Sequence, residues 1–207
     1  KIGISRSLLT NTLYPLYHNF FAKLGLEVVL SDDVDECGKD KIQSSFCYPV
    51  ELSHGFFSNL LKKNVDFIFM PHITQMDDTH EHKYNRLCVF VQGECYYLQS
   101  AFREELEKKF KNNVKFITPV IDFTLGSKEL ENVFVDIAQD IGADKKNAAN
   151  AFAYSFEKFN EMRREFKNLG VKAIKEIEKN PGNIGIVLFG RSYNAFAREA
   201  NLNIPHK

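Results

Sequence analysis

Neither sign of charge is in excess: 27 Lys and Arg face 27 Asp and Glu, for a formal net charge of zero. The chain therefore offers no basic footprint for nucleic acid or for an anionic membrane surface. Cysteine is scarce as well. Cys37, Cys47, Cys88 and Cys95 are too few and too irregularly spaced for a disulfide framework in 207 residues, which points to a reducing, cytoplasmic setting. No signal-peptide pattern or long apolar run accompanies them, so no membrane span is expected. Glycine-rich phosphate fingerprints are missing: neither G-x-G-x-x-G nor Gly-x4-Gly-Lys-Ser/Thr occurs, which disfavours classical nucleotide binding. There is no C-x-x-C, and neither Cys37 with Cys47 nor Cys88 with Cys95 has a structural-zinc spacing. No internal repeat or low-complexity tract appears. The chain opens inside an apparent strand at Lys1 and runs out at Asn203-Ile204-Pro205-His206-Lys207, and it reads as a piece of something longer.

What is present is core-forming material. With 44% hydrophobic residues the chain can bury one good core, or a core and the start of a second unit, and disorder is excluded as a class. Ile2-Gly3-Ile4 reads as a strand, and Leu13, Leu16, Tyr17, Phe20, Phe21 and Leu24 fall at helical spacing before Gly25. Leu26–Leu30 follows as a second strand, which makes a β-α-β opening. A polar loop over 31–45 leads to a helix begun at Pro49, then a third strand over Val65–Met70 and a long polar segment over 72–85. Residues 86–91 have strand-like composition, and 92–111 look helical. Val114–Val120 is a fourth strand, and Ser127 is placed to cap a helix to Ile141. From Lys145 to Lys179 the chain is helix-forming throughout, with a seam from Phe152 to Ile177 expected to be buried and a bend expected at Gly170. Ile184–Phe189 reads as a fifth, buried parallel strand.

About five strands alternating with helices predict an α/β fold, a flavodoxin-like doubly wound parallel sheet of order 2-1-3-4-5 with a long C-terminal helix before the last strand. The expected division is a core over 1–144, the long helix over 145–180, and a last segment over 181–207 that completes the sheet or starts the next domain. An unpaired last strand would invite a homodimer.

In an open parallel sheet the loops that follow strands gather at one edge, where ligands bind. This places Arg6, Cys47, His72, Cys88 and Gly190-Arg191-Ser192-Tyr193-Asn194 together. Pro49 suits a first helical turn, so Cys47 falls at a helix N-terminus, where the dipole favours an anion such as a thiolate. Cys47 is either a metal- or cluster-binding or reactive thiol, or a small apolar residue at a loop–helix junction. Cys88 occupies a similar position before the next helix. Arg191 and Ser192 either receive an anion or form an ordinary helix start. His54 either donates to a sulfur or lies on the helix surface, and the latter fits a lone histidine better. His72, Asp77, Asp78, His80 and His82 either bind a divalent metal or form a solvated loop, with solvation favoured. Cys37 and Cys95 read as structural or incidental.

Six stretches resemble, in order, one family. They are Ile2–Leu8, Leu26–Ser31, Cys47–Gly55, Val65–Pro71, Tyr84–Gly93 and Gly190–Asn194, spread over essentially the whole chain. The family is the uncharacterised domain of CoA-substrate-specific enzyme activase proteins, DUF2229, related to catalytic subunits of 2-hydroxyacyl-CoA dehydratases. The resemblance implies that Cys47 and Cys88 are metal ligands of a 4Fe–4S or double-cubane cluster, with Arg6, His54, Arg191, Ser192 and Tyr193 around it. It implies two partners: a downstream domain that supplies a further cluster cysteine, and an ATP-hydrolysing activator, in many relatives fused upstream, that supplies electrons. Two cysteines alone do not complete a four-ligand cluster. This chain departs from the family pattern at Ser5, Val89 and Ser192, where proline is usual, and at Phe56, where a second histidine is usual. The lost prolines bear on loop geometry rather than on the thiols. The function implied is part of a low-potential iron–sulfur site in an ATP-dependent reductase or dehydratase-like protein acting on a small molecule or acyl-CoA. The rival is a non-catalytic docking domain with structural cysteines.

Overall fold

The structure, a computed structural model, describes residues 1–77, 85–180 and 182–206. In chain order it begins with β1 (Ile2–Ile4), α1 (Thr10–Lys23), β2 (Val28–Leu30), α2 (Glu36–Lys39), α3 (Tyr48–Leu61) and β3 (Phe67–Phe69). Next come β4 (His72–Gln75), α4 (Val89–Gln92), α5 (Glu94–Ala101), α6 (Arg103–Lys111), β5 (Lys115–Ile117) and β6 (Val120–Asp122). The chain closes with α7 (Ser127–Asp140), α8 (Lys145–Glu178), α9 (Ser192–Ala195) and a short 3₁₀ turn over Ile204–His206.

Four strands form a parallel sheet in the order β2-β1-β3-β5, and β4 pairs with β6 in a second parallel ladder. The two ladders continue one another. Phe67 pairs with Lys115 and, past the break, His72 pairs with Val120, at an unchanged offset. Prolines 71 and 119 interrupt both chains side by side because neither can donate to a ladder. Around them Met70 N–H still donates to Ile117 O at 3.0 Å and His72 N–H to Pro119 O at 2.8 Å.

Helices cover both faces, as they must when strands read Ile-Gly-Ile or Phe-Ile-Phe with no polar side. On one face Leu13, Tyr17 and Phe20 of α1 pack with Phe134 of α7 and Phe152 of α8. On the other, Phe57 and Leu60 of α3 pack with Leu98 of α5 and Phe102. Adjacent residues of β3 divide between them, Phe69 to the first face and Ile68 to the second. A fully buried side chain of this size contributes roughly 1.5–3 kcal/mol.

Several local expectations differ from the structure. Residues 31–45 include α2, which Gly38 and Gly55 allow to lie against α3: a Cβ on Gly38 would sit 2.4 Å from Ser58 Cβ and 2.7 Å from His54 O. Residues 86–91 form no strand beyond a single bridge of Arg86 to Gln75; α4 starts at Val89. The expected 92–111 helix is divided at Gly93 and Phe102 into α4, α5 and α6. Ser127 is the first residue of α7, behind Gly126, rather than its cap.

The largest departures concern the C-terminal third. Asp144 caps α8 by accepting from the amides of Lys146 and Asn147, and the helix then runs unbroken through Gly170. Its first half is buried at Phe152 and Phe159, with Phe156 half-buried, but Phe166, Leu169, Ile174 and Ile177 are exposed. Residues 184–189 form no strand, and Ile184, Ile186 and Phe189 are 88%, 83% and 94% exposed. Length is the physical reason. A 34-residue helix extends about 50 Å, beyond what the 14-residue α1 and α7 can cover. Gly185 lies against Ile177 of α8 instead.

Candidate functional site

The carboxyl edge of the sheet is built by the turn after β1, the starts of α3, α4 and α5, and the segment around α9. Cys47 precedes α3 in extended backbone, its carbonyl accepting from Val50 N–H at 3.0 Å, and Pro49 stands in the first turn as its missing donor allows. Cys88 holds the equivalent place before α4, its carbonyl accepting from Val91 N–H at 2.9 Å. Cys47 is exposed and Cys88 half-buried.

The neighbours of the two cysteines touch. Phe46 and Phe90 approach to 5.2 Å between ring centroids. Tyr97 of α5 lines the same cavity as both rings, with its hydroxyl 3.1 Å from Ser53 Oγ. Burial, then Glu94, and more weakly Cys47 and Cys88 together, push the Tyr97 phenol far above its usual range. The contact of Phe46 with Phe90 brings the starts of α3 and α4, and with them the segments that carry Cys47 and Cys88, to one side of the edge. The cavity there, of about 310 Å³, is lined by Phe46, Val50, His54, Phe90 and Tyr97.

Arg191 donates to Tyr193 Oη at 3.0 Å. Tyr193 first, and then Cys88, hold its guanidinium above the ordinary value, so Arg191 stands next to Cys88. Ser192 Oγ accepts from Thr12 Oγ1 at 2.6 Å and Tyr193 is buried, which fastens α9 to α1. Arg6 is engaged elsewhere: its guanidinium lies 4.8 Å above the Phe56 ring and pairs with Glu199 at 2.5 Å. The phenylalanine at the position where a second histidine is usual is thus the surface on which Arg6 rests.

His54 is buried, not on the helix surface as expected. Its Nδ1–H donates to Val50 O at 2.8 Å and its ring stacks on Tyr97 at 5.3 Å. Burial lowers its pKa, so the ring is neutral, and the Nδ1 proton leaves Nε2 as an acceptor with nothing to donate to a sulfur. Cys95 is fully buried, and burial followed by Glu94 pushes its thiol up to about 11; Cys37 is exposed on α2. Of the polar loop, His72 lies in β4 against Tyr96 and Asp77 is exposed, whereas Asp78, His80 and His82 lie outside the described residues.

Sequence reasoning missed Glu94. Its carboxyl, at the start of α5, accepts from Ser7 Oγ at 2.5 Å, and Ser7 Oγ lies 2.9 Å from Ser5 Oγ. These groups and Tyr17 line a void of about 10 Å³ behind the edge. Burial pushes Glu94 up to about 7 against the Ser7 hydrogen bond. An acid in a first helical turn is ordinary; only the approach of the turn after β1 distinguishes this one.

Among the described residues no group of three or more His, Cys, Asp and Glu is placed to hold a metal ion, and no helix is long and apolar enough to cross a membrane. Fold and edge together define a mixed α/β protein, compatible with the flavodoxin-like fold, whose parallel sheet presents two thiols beside a tyrosine and an arginine at its carboxyl edge. Residues 1–207 match the family model described as the CoA enzyme activase uncharacterised domain (DUF2229), and the chain belongs to that family. No curated protein and no solved structure matches it.

Proposed function

We propose that the chain is a redox module of a cytoplasmic, ATP-dependent reductase or dehydratase-like protein, in which Cys47 and Cys88 are two of the thiolates that hold an iron–sulfur cluster. The observation that carries this reading is geometric: the two cysteines stand directly before the starts of α3 and α4, and their neighbours Phe46 and Phe90 meet at 5.2 Å between ring centroids. Thiols are the donors such clusters take, and exposure of Cys47 leaves it open to a group approaching from outside. Two sulfurs are half a cluster's needs, so the remaining ligands come from a downstream domain. The exposed apolar run at 184–189 and the end of α8 at Ile174 and Ile177 are consistent with a further unit docking there.

A bound cluster would supply one-electron chemistry at low potential, fed by an ATP-hydrolysing activator. The chain's own residues hold the surroundings. Arg191 sets a positive charge near Cys88, His54 and Tyr97 stack into one wall, and Phe46 with Phe90 form an apolar, partly exposed rim between the helix starts.

Anaerobic reconstitution with ferrous iron and sulfide tests this in a protein that joins the chain to its downstream domain. Iron and acid-labile sulfide should be incorporated, and a paramagnetic signal should appear on reduction. Cys47→Ala and Cys88→Ala should each abolish incorporation, and Cys37→Ala should not. Full incorporation in both of the first two variants would overturn the assignment.

A further inference from the structure

A second cavity lies away from Tyr97, between α1, the loop after β6, the start of α7, and α8. It has a volume of about 690 Å³, within the range of small-molecule sites. Its floor is apolar and buried at Phe123, Leu130 and Phe159. Its mouth is apolar and open: Leu125, Phe166 and Phe196 are 48%, 63% and 75% exposed. Large apolar side chains gathered around one opening expose surface that a ligand body would cover at roughly 25 cal/mol per Å².

Charge selects the head group. Arg163 lines the cavity, exposed, with its guanidinium 5.9 Å from the Phe159 ring centroid, which biases it toward the wall. Ser127 also lines it, at the start of α7, where Gly126 provides no side-chain cap. Two carboxylates oppose these groups. Asp77 is exposed on the lining, and Glu129 folds back to within 3.1 Å of where a Cβ on Gly126 would stand. Glu129 already answers the dipole of α7, which leaves Arg163 as the principal anion-binding group, with the Ser127 hydroxyl as a donor.

We propose that this cavity binds an apolar carboxylic acid, its body against Phe123, Leu130 and Phe159 and its carboxylate taken by Arg163. The site borders the edge described above through Ser192, but its anion-binding group, Arg163, lies on α8 and none of its lining residues is a cysteine, so it does not rest on the cluster reading.

Calorimetric titration of the 207-residue chain with decanoate, below its micellising concentration, and with decan-1-ol tests the proposal. Decanoate should bind at one site and more tightly than the alcohol. Arg163→Gln should weaken decanoate about tenfold, the scale of one lost charge-assisted hydrogen bond, and leave the alcohol unchanged. Leu125→Glu should weaken decanoate by placing a negative charge at the mouth. Both positions are exposed, so neither variant threatens the fold. Absence of binding, equal affinity for acid and alcohol, or decanoate binding untouched by both substitutions would each overturn it. None of these results depends on iron incorporation.

Discussion

Glu94 is a carboxyl that folding leaves with one good hydrogen bond, from Ser7, and little water. An acid whose folded pKa lies above its unfolded value holds its proton more tightly in the folded state, so its contribution is fully present at low pH and fades as pH rises. For Glu94 the window runs from about 4.5 to about 7, and the loss across it is on the order of 3 kcal/mol. Urea unfolding should therefore show lower stability at pH 8 than at pH 5. Glu94→Gln, which keeps the shape without the charge, should flatten that difference and be the more stable protein at pH 8. An unchanged pH profile in the variant would show that water reaches the carboxyl. The cysteines separate in the same way. Iodoacetamide should modify Cys37, Cys47 and Cys88 in the native protein and reach Cys95 only on unfolding, because Cys95 is buried with its thiol pushed up to about 11. Peptide mapping after a short pulse would check this, and early labelling of Cys95 would contradict the packing of α5. Cys47 and Cys88 were legible in the sequence because proline and helix periodicity mark where helices start. Glu94 and the burial of His54 were not, since both depend on contacts with residues more than forty positions away, at Ser7 and Tyr97.

At the scale of elements, periodicity located α1, α3 and α7, whose apolar faces all find partners within the chain. It failed where an apolar face has no partner here. The stripe along the second half of α8 and the run at 184–189 carry the pattern of buried structure, yet pattern records only that a surface is suited to burial, not what covers it. The α2–α3 contact was hidden for another reason: it depends on the missing side chains of Gly38 and Gly55. Paired glycine substitutions test this contact. Gly38→Ala would bring a Cβ to 2.4 Å from Ser58 and 2.7 Å from the backbone oxygen of His54, and should destabilise the protein by about 1–3 kcal/mol. Gly170 lies in the helix α8 with nothing within 4 Å of its Cβ position, so Gly170→Ala should stabilise by about 0.5–1 kcal/mol. Thermal unfolding of both variants should show opposite shifts. A neutral Gly38→Ala would mean that α2 does not pack on α3 in solution.

For the molecule as a whole, β2-β1-β3-β5 with helices on both faces is complete as a core without the fifth strand. The chain therefore has a stable body and an apolar extension that the body does not cover. Backbone over 184–189 is in no ladder, and Ile184, Ile186, Val187 and Phe189 are all more than two-thirds exposed. Unpaired strand-like segments of this kind pair with whatever strand they meet. In the isolated 207-residue chain the nearest source is a second copy, so sedimentation velocity should show association that grows with concentration. Ile186→Lys with Phe189→Lys should suppress it, since two charges on the segment oppose both burial and strand pairing. The melting temperature should hardly move, because neither side chain touches the core. A lowered melting temperature would show instead that 184–189 packs on the body. Association that persists in the double variant would move the self-contact to another surface, of which the exposed stripe at Phe166, Leu169 and Ile174 is the next to test.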